Sequence, residues 1–106
     1  MINTMHTTAA RPPVSAWVGL GANLGDARAS VLAAIEALGR LPRTQLPRAS
    51  SLYRSAPWQA EGADFINAVA QVQTGLSAPD LLRALQALER AAALKPLVAT
   101  VSLRKR

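Results

Sequence analysis

The chain has no cysteine and a single histidine, His6. The first absence excludes disulfides, thiolate metal centres and cysteine nucleophiles. It fits a reducing compartment, so a cytoplasmic protein is expected. The second leaves no Ser-His-Asp constellation to assemble. No apolar run approaches the roughly 18 residues of a membrane span. The opening MINTMHTTAARPPVS lacks the apolar centre of a signal peptide. Residues 1–14 are expected to be a disordered lead-in, followed by one domain over 15–106. Aromatics are scarce, only Trp17, Tyr53, Trp58 and Phe65. So are carboxylates: Asp26, Glu36, Glu61, Asp64, Asp80 and Glu89, of which only Glu61 and Asp64 are close in sequence. That pair falls in a polar stretch where solvent exposure is the plain explanation. No carboxylate set for a magnesium-assisted phosphoryl transfer can be read from the residues alone.

What the chain does have is apolar content, 50% of its residues, ample for a core. Its formal charge of +6 is uneven. Residues 1–90 carry eight arginines against six acids, and the last sixteen carry Lys95, Arg104, Lys105 and Arg106 with no acid. A basic tail can hold phosphate or RNA, but the plainer reading is a solvated end.

The elements follow from periodicity. Ala16 to Leu20 reads as a short buried strand closed by Gly19 and Gly21. Asn23 or Asp26 can cap a helix whose apolar face is Val31, Leu32, Ile35, Leu38 and Leu41, with Gly39 and Pro42 ending it. Thr44 to Arg54 reads as a second strand, and Pro47 marks it as an edge strand or one broken near its start. Phe65 to Thr74 alternates: Phe65, Asn67, Val69, Gln71 and Gln73 share one side, Ile66, Ala68, Ala70 and Val72 the other. The mixed chemistry of the first set suggests a face only partly in the core. Ser77 caps a second helix, with Pro79 in its first turn and Leu81, Leu82, Leu85 and Leu88 as its buried face. The tail segment LVATVSL, Leu97 to Leu103, has the length and β-branched content of a strand that could pair beside Ala16 to Leu20; the competing outcome is a frayed end. The order β-α-β-β-α(-β) predicts an α+β, ferredoxin-like sandwich, an antiparallel sheet with helices on one face.

The glycine run GLGANLG, Gly19 to Gly25, follows a strand and precedes a helix, but its G-x-G-x-x-x-G spacing is one residue too long for a dinucleotide fingerprint. No acid follows at the distance that would hold a ribose. It reads as a tight turn. The connection between the second and third strands is the more suggestive feature. It is longer than a hairpin requires, Tyr53 and Phe65 flank it, Trp58 lies within it, and Ser55 and Asn67 supply polar groups beside it. An amide both donates and accepts, which suits flat heterocycles with adjacent donors and acceptors. The bland alternative is that the aromatics are core and Asn67 bonds backbone.

Three separated stretches, WVGLGANLGD (Trp17 to Asp26), SSLYRSAPW (Ser50 to Trp58) and DFINAVAQVQTGLSAPDLLRALQALE (Asp64 to Glu89), together resemble the 6-hydroxymethyl-7,8-dihydropterin pyrophosphokinase family. The resemblance runs from about Ala16 to Arg90, with the motifs in order. It implies a ferredoxin-like fold and a folate-pathway transferase that moves pyrophosphate from ATP to the pterin hydroxymethyl. It also implies a mobile loop between the two strands, beside the pterin. On the matching positions it implies pterin contacts at Ser55, Ala56, Trp58, Phe65 and Asn67, and ATP contacts at Gln86 and Glu89. Mg2+ is the family's metal.

The resemblance stops at about Arg90. The family continues with a basic G-R loop and an R-T-L-D-L-D strand, whose D-x-D supplies the metal ligands; here the chain reads RAAALKPLVATVSLRKR. A C-terminally incomplete member is therefore expected, through truncation, frameshift or an incomplete gene model. It would lack catalytic and metal-ligating residues of its own, with doubtful activity, and would be monomeric and off the membrane. Two other readings are a pterin- or heterocycle-binding module without chemistry, and a small basic RNA-binding α/β domain. Against the latter, the sheet lacks clustered aromatics for base stacking.

Overall fold

The computed structural model describes residues 12–57 and 62–91, and the backbone of 97–103. The expected lead-in up to residue 11, Trp58 and Glu61 in the connection, and the basic end 104–106 lie outside the described residues.

The elements are β1 (Val14–Ala22), α1 (Ala27–Leu38), β2 (Thr44–Ala49), β3 (Tyr53–Ser55), β4 (Phe65–Thr74), α2 (Ala78–Ala91) and β5 (Leu97–Leu103). The sheet runs β2-β4-β1-β5, with β3 also paired to β4, and all pairings are antiparallel. This is the ferredoxin-like arrangement expected from the sequence. The tail segment does pair: β5 lies against β1 from Ala16↔Leu103 to Ala22↔Leu97.

Period-two alternation decides which side of the sheet carries the core. Ala16, Val18, Leu20 and Ala22 of β1 and Ala68, Ala70 and Val72 of β4 are buried, and they form one cluster with Val31, Ala34 and Leu38 of α1 and Leu81 and Leu85 of α2. Both helices therefore cover one face. The small residues on the strands let the helices approach closely, and the helix leucines fill the space between. Each such leucine contributes about 1.5–3 kcal/mol by leaving water.

Both helices start on the side chains that the sequence offers. Asp26 accepts from the Ala29 N–H at 3.1 Å, and Ser77 Oγ accepts from the Asp80 N–H at 3.2 Å. Asp80 sits in the first turn of α2, where its charge complements the helix dipole, and pairs with Arg83.

Several local expectations change. β1 does not stop at the glycines but runs through both to Ala22, because β4 and β5 pair with that stretch on either side. The second strand is two pieces, β2 and β3. Ser50 joins them by mimicking a strand residue: its N–H donates to the Val69 carbonyl at 2.8 Å, and its Oγ accepts from the Val69 N–H at 2.9 Å. The register slips between Gln45 and Arg48, the bulge that Pro47 foreshadows. Gly39 caps α1 in a right-handed conformation (φ −70°), and the left-handed turn falls on Arg43 instead (φ 52°). Leu32 and Leu82 are about half exposed, and Ala34 takes the inward position on α1. A step of 100° per residue separates Leu82 from the Leu81–Leu85–Leu88 stripe.

Two buried hydroxyls tie β2 to β4. Thr44 Oγ1 donates to the Pro42 carbonyl (2.8 Å), so its 2.8 Å contact with Thr74 Oγ1 must be one it accepts. Thr74 Oγ1 in turn accepts from the Leu76 N–H at 3.1 Å. Each hydroxyl thus gives one proton and takes one. Among the described residues no helix is long and apolar enough to cross a membrane.

Candidate functional site

The face of the sheet away from the helices carries the second set of alternating residues. Cross-strand pairing sets Gly21 opposite Asn67, Gly19 opposite Val69, and Tyr53 opposite Asn67 on its other side. Two glycines on β1 beside larger side chains on β4 and β3 leave a depression. It is a hollow of about 320 Å³ lined by Gly19, Leu20, Gly21, Tyr53, Phe65, Asn67 and Ala68. Its floor is strand backbone and its wall includes two of the chain's four aromatic side chains. Tyr53 is 51% exposed, so one wall stands open to solvent.

Gly21 makes this shape possible by close approach rather than by unusual dihedrals. A Cβ at that position would lie 3.0 Å from Asn67 Oδ1 and 3.5 Å from Phe65 Cδ2. A side chain there would crowd the amide oxygen, which would have to shift. A glycine inside an apolar strand signals close backbone approach; reading Gly19 and Gly21 as turn glycines passes over that signal.

Asn67 is held in place. Its Nδ2 donates to Ser55 Oγ at 2.8 Å and to the Tyr53 carbonyl at 3.4 Å. The second anchor of the region is Asn23. Asp26 takes the helix cap, and Asn23 Nδ2 donates instead to the Ala63 carbonyl at 3.2 Å, tying the β1–α1 turn to the β3–β4 connection. Gly25, with φ 60°, makes that turn.

Of the residues expected at a site, Ser55, Phe65 and Asn67 come together here. Ala56 is exposed at the start of the connection, one residue beyond β3. Trp58 lies outside the described residues. Gln86 and Glu89 do not line this hollow; they lie on α2, whose buried leucines pack against the opposite face of the sheet. Gln86 is exposed and Glu89 half-buried. Among the described residues no group of three or more His, Cys, Asp or Glu side chains is placed to hold a metal ion. Glu36 and Asp80 are each engaged by an arginine, Arg40 and Arg83.

Comparison with known proteins gives this geometry a context. Residues 17–103 match the family model of 7,8-dihydro-6-hydroxymethylpterin-pyrophosphokinase (HPPK). The chain belongs to the HPPK family. Similar relatives named 2-amino-4-hydroxy-6-hydroxymethyldihydropteridine pyrophosphokinase come from Pseudomonas aeruginosa, Pseudomonas putida and Haemophilus influenzae. The first is 46% identical over 74 residues, covering 69% of this chain and 46% of the relative. The second is 40% identical over 76 residues, covering 72% and 63%. The third is 38% identical over 77 residues, covering 72% and 48%. The chain thus spans about half the length of two of these HPPK relatives and somewhat more of the third. Among solved structures, a dinuclear metal-binding peptidase of the M20 family from Bacillus subtilis superposes with a TM-score of 0.55 at 12% identity, over 88% of this chain and 27% of that one. That likeness is one of fold alone.

Proposed function

We propose that this chain binds a pterin in the hollow between β1, β3 and β4, as the pterin-holding part of a folate-biosynthesis pyrophosphokinase. The reaction of such an enzyme is the transfer of the β,γ-pyrophosphoryl group of ATP to the hydroxymethyl oxygen of 6-hydroxymethyl-7,8-dihydropterin, with AMP leaving. One observation carries the reading: the family's matching positions Phe65 and Asn67 line a hollow over strand backbone, and Ser55 holds the Asn67 amide in its wall. A planar heterocycle lies naturally on glycine backbone beside an aromatic edge. Ala56, and Trp58 by the family resemblance, are proposed as further contacts of the ring.

ATP is proposed to meet Gln86 and Glu89 on α2, and the setting is proposed to be cytoplasmic and monomeric. The family's chemistry brings Mg2+ to the phosphates, yet among the described residues no three or more His, Cys, Asp or Glu side chains come together to hold an ion. Phosphoryl transfer depends on charge stabilisation by metal and cationic side chains, so the chain's own transferase activity is expected to be very low. That same observation favours a second reading, a pterin-binding module without chemistry.

Isothermal calorimetry with 6-hydroxymethylpterin tests the shared core of both readings. Saturable one-to-one binding is expected; no heat of binding at any accessible concentration would overturn it. A coupled assay of AMP release then separates the two, with measurable turnover favouring the enzyme and its absence the module.

A further inference from the structure

The Asn67 side chain has one acceptor and two N–H donors. Both donors are committed inside the protein, one to Ser55 Oγ at 2.8 Å and one to the Tyr53 carbonyl at 3.4 Å. A main-chain carbonyl only accepts, so the nitrogen, not the oxygen, must face that side. The remaining atom, Oδ1, points along bare β1 backbone, 3.0 Å from where a Gly21 side chain would begin. The amide therefore meets a ligand as an acceptor alone, although the residue type can do both.

We infer that Ser55 is a positioning residue that fixes the Asn67 amide with Oδ1 toward the hollow, so that the site selects heterocycles presenting an N–H at that edge. The lactam N3–H of a pterin satisfies the oxygen. A ring whose edge there offers only acceptors, or a methylated nitrogen, leaves Oδ1 unpaired against an apolar neighbour and is rejected. This rests on the pterin-site reading above. It gives Ser55 a role distinct from ligand contact: its hydroxyl acts through Asn67.

Two measurements on the whole chain test it. The first needs no ligand: hydrogen exchange of the Asn67 side-chain amide, followed by NMR. Slow exchange is expected in the wild type, faster by about tenfold or more in Ser55→Ala, and restored in Ser55→Thr, which keeps the hydroxyl. The second compares 6-hydroxymethylpterin with its N3-methyl derivative. The wild type should prefer the parent by at least about tenfold, since a site built around a hydrogen bond discriminates strongly against its loss. The preference should narrow in Ser55→Ala and return in Ser55→Thr. Unchanged amide exchange in Ser55→Ala would overturn the positioning role, and equal wild-type affinity for the two ligands would overturn the selectivity. If neither ligand binds the wild type, the pterin reading fails, and the amide exchange alone still decides what Ser55 does.

Discussion

At the scale of single residues, the site depends as much on a missing side chain as on those present. Gly21→Ala places a methyl group 3.0 Å from Asn67 Oδ1, tighter than most packed contacts, and against backbone that is paired on both sides. The side chain of Asn67 must yield, not the strand. Pterin affinity should fall by about tenfold or more, corresponding to the ~1–3 kcal/mol of a buried polar group left unmatched, while circular dichroism stays that of the wild type. Retained affinity would mean that the ligand does not use this floor. The Thr44–Thr74 relay makes the contrasting case, a polar cluster that holds structure only. Thr74→Val keeps the shape but removes a donor and an acceptor, leaving Thr44 Oγ1 and the Leu76 N–H each without that partner. Urea unfolding should show a loss of about 1–3 kcal/mol with pterin binding otherwise intact.

At the scale of elements, legibility in the sequence followed how local the determining physics is. The alternation of β4 placed Asn67 and Phe65 on the non-core side, and the Ser77 cap placed α2, because both depend on neighbours a few residues away. The length of β1 was not legible. Glycine disfavours strands by itself, and only pairing with β4 and β5, distant in sequence, carries the strand through Gly19 and Gly21. The split between β2 and β3 was hidden for the same reason, since it depends on how Ser50 docks on Val69. The donor commitment of Asn67 was equally out of reach: it needs the Tyr53 carbonyl, fourteen residues away, brought alongside by β3 pairing. The pairing of β5 yields its own prediction. A strand bonded to β1 on one side only protects alternate amides. Hydrogen exchange over Leu97 to Leu103 should therefore alternate slow and fast. Uniformly fast exchange would show that β5 does not hold, and uniformly slow exchange would show a further strand on its outer edge.

At the scale of the whole molecule, membership of the HPPK family and the ferredoxin-like fold are joined to a chain that spans about half the length of several relatives. The described residues bring together the hollow proposed for a pterin but no group of three or more His, Cys, Asp or Glu side chains that could hold magnesium. Nucleotide binding should accordingly be weak and almost indifferent to the metal. Titration of ATP with and without millimolar Mg2+ should give affinities within about twofold, whereas tight, magnesium-dependent binding would reveal phosphate-holding residues that the account omits. Calorimetry of three proteins with 6-hydroxymethylpterin decides whether the hollow between β1, β3 and β4 is a pterin site organised around Asn67: the wild type, Asn67→Ala, and Glu36→Ala as a control on the exposed side of α1. Glu36→Ala should keep wild-type affinity and, at ~1–3 kcal/mol for the unpaired groups, Asn67→Ala should lose about fivefold to a hundredfold. Equal affinities in all three proteins would contradict that assignment.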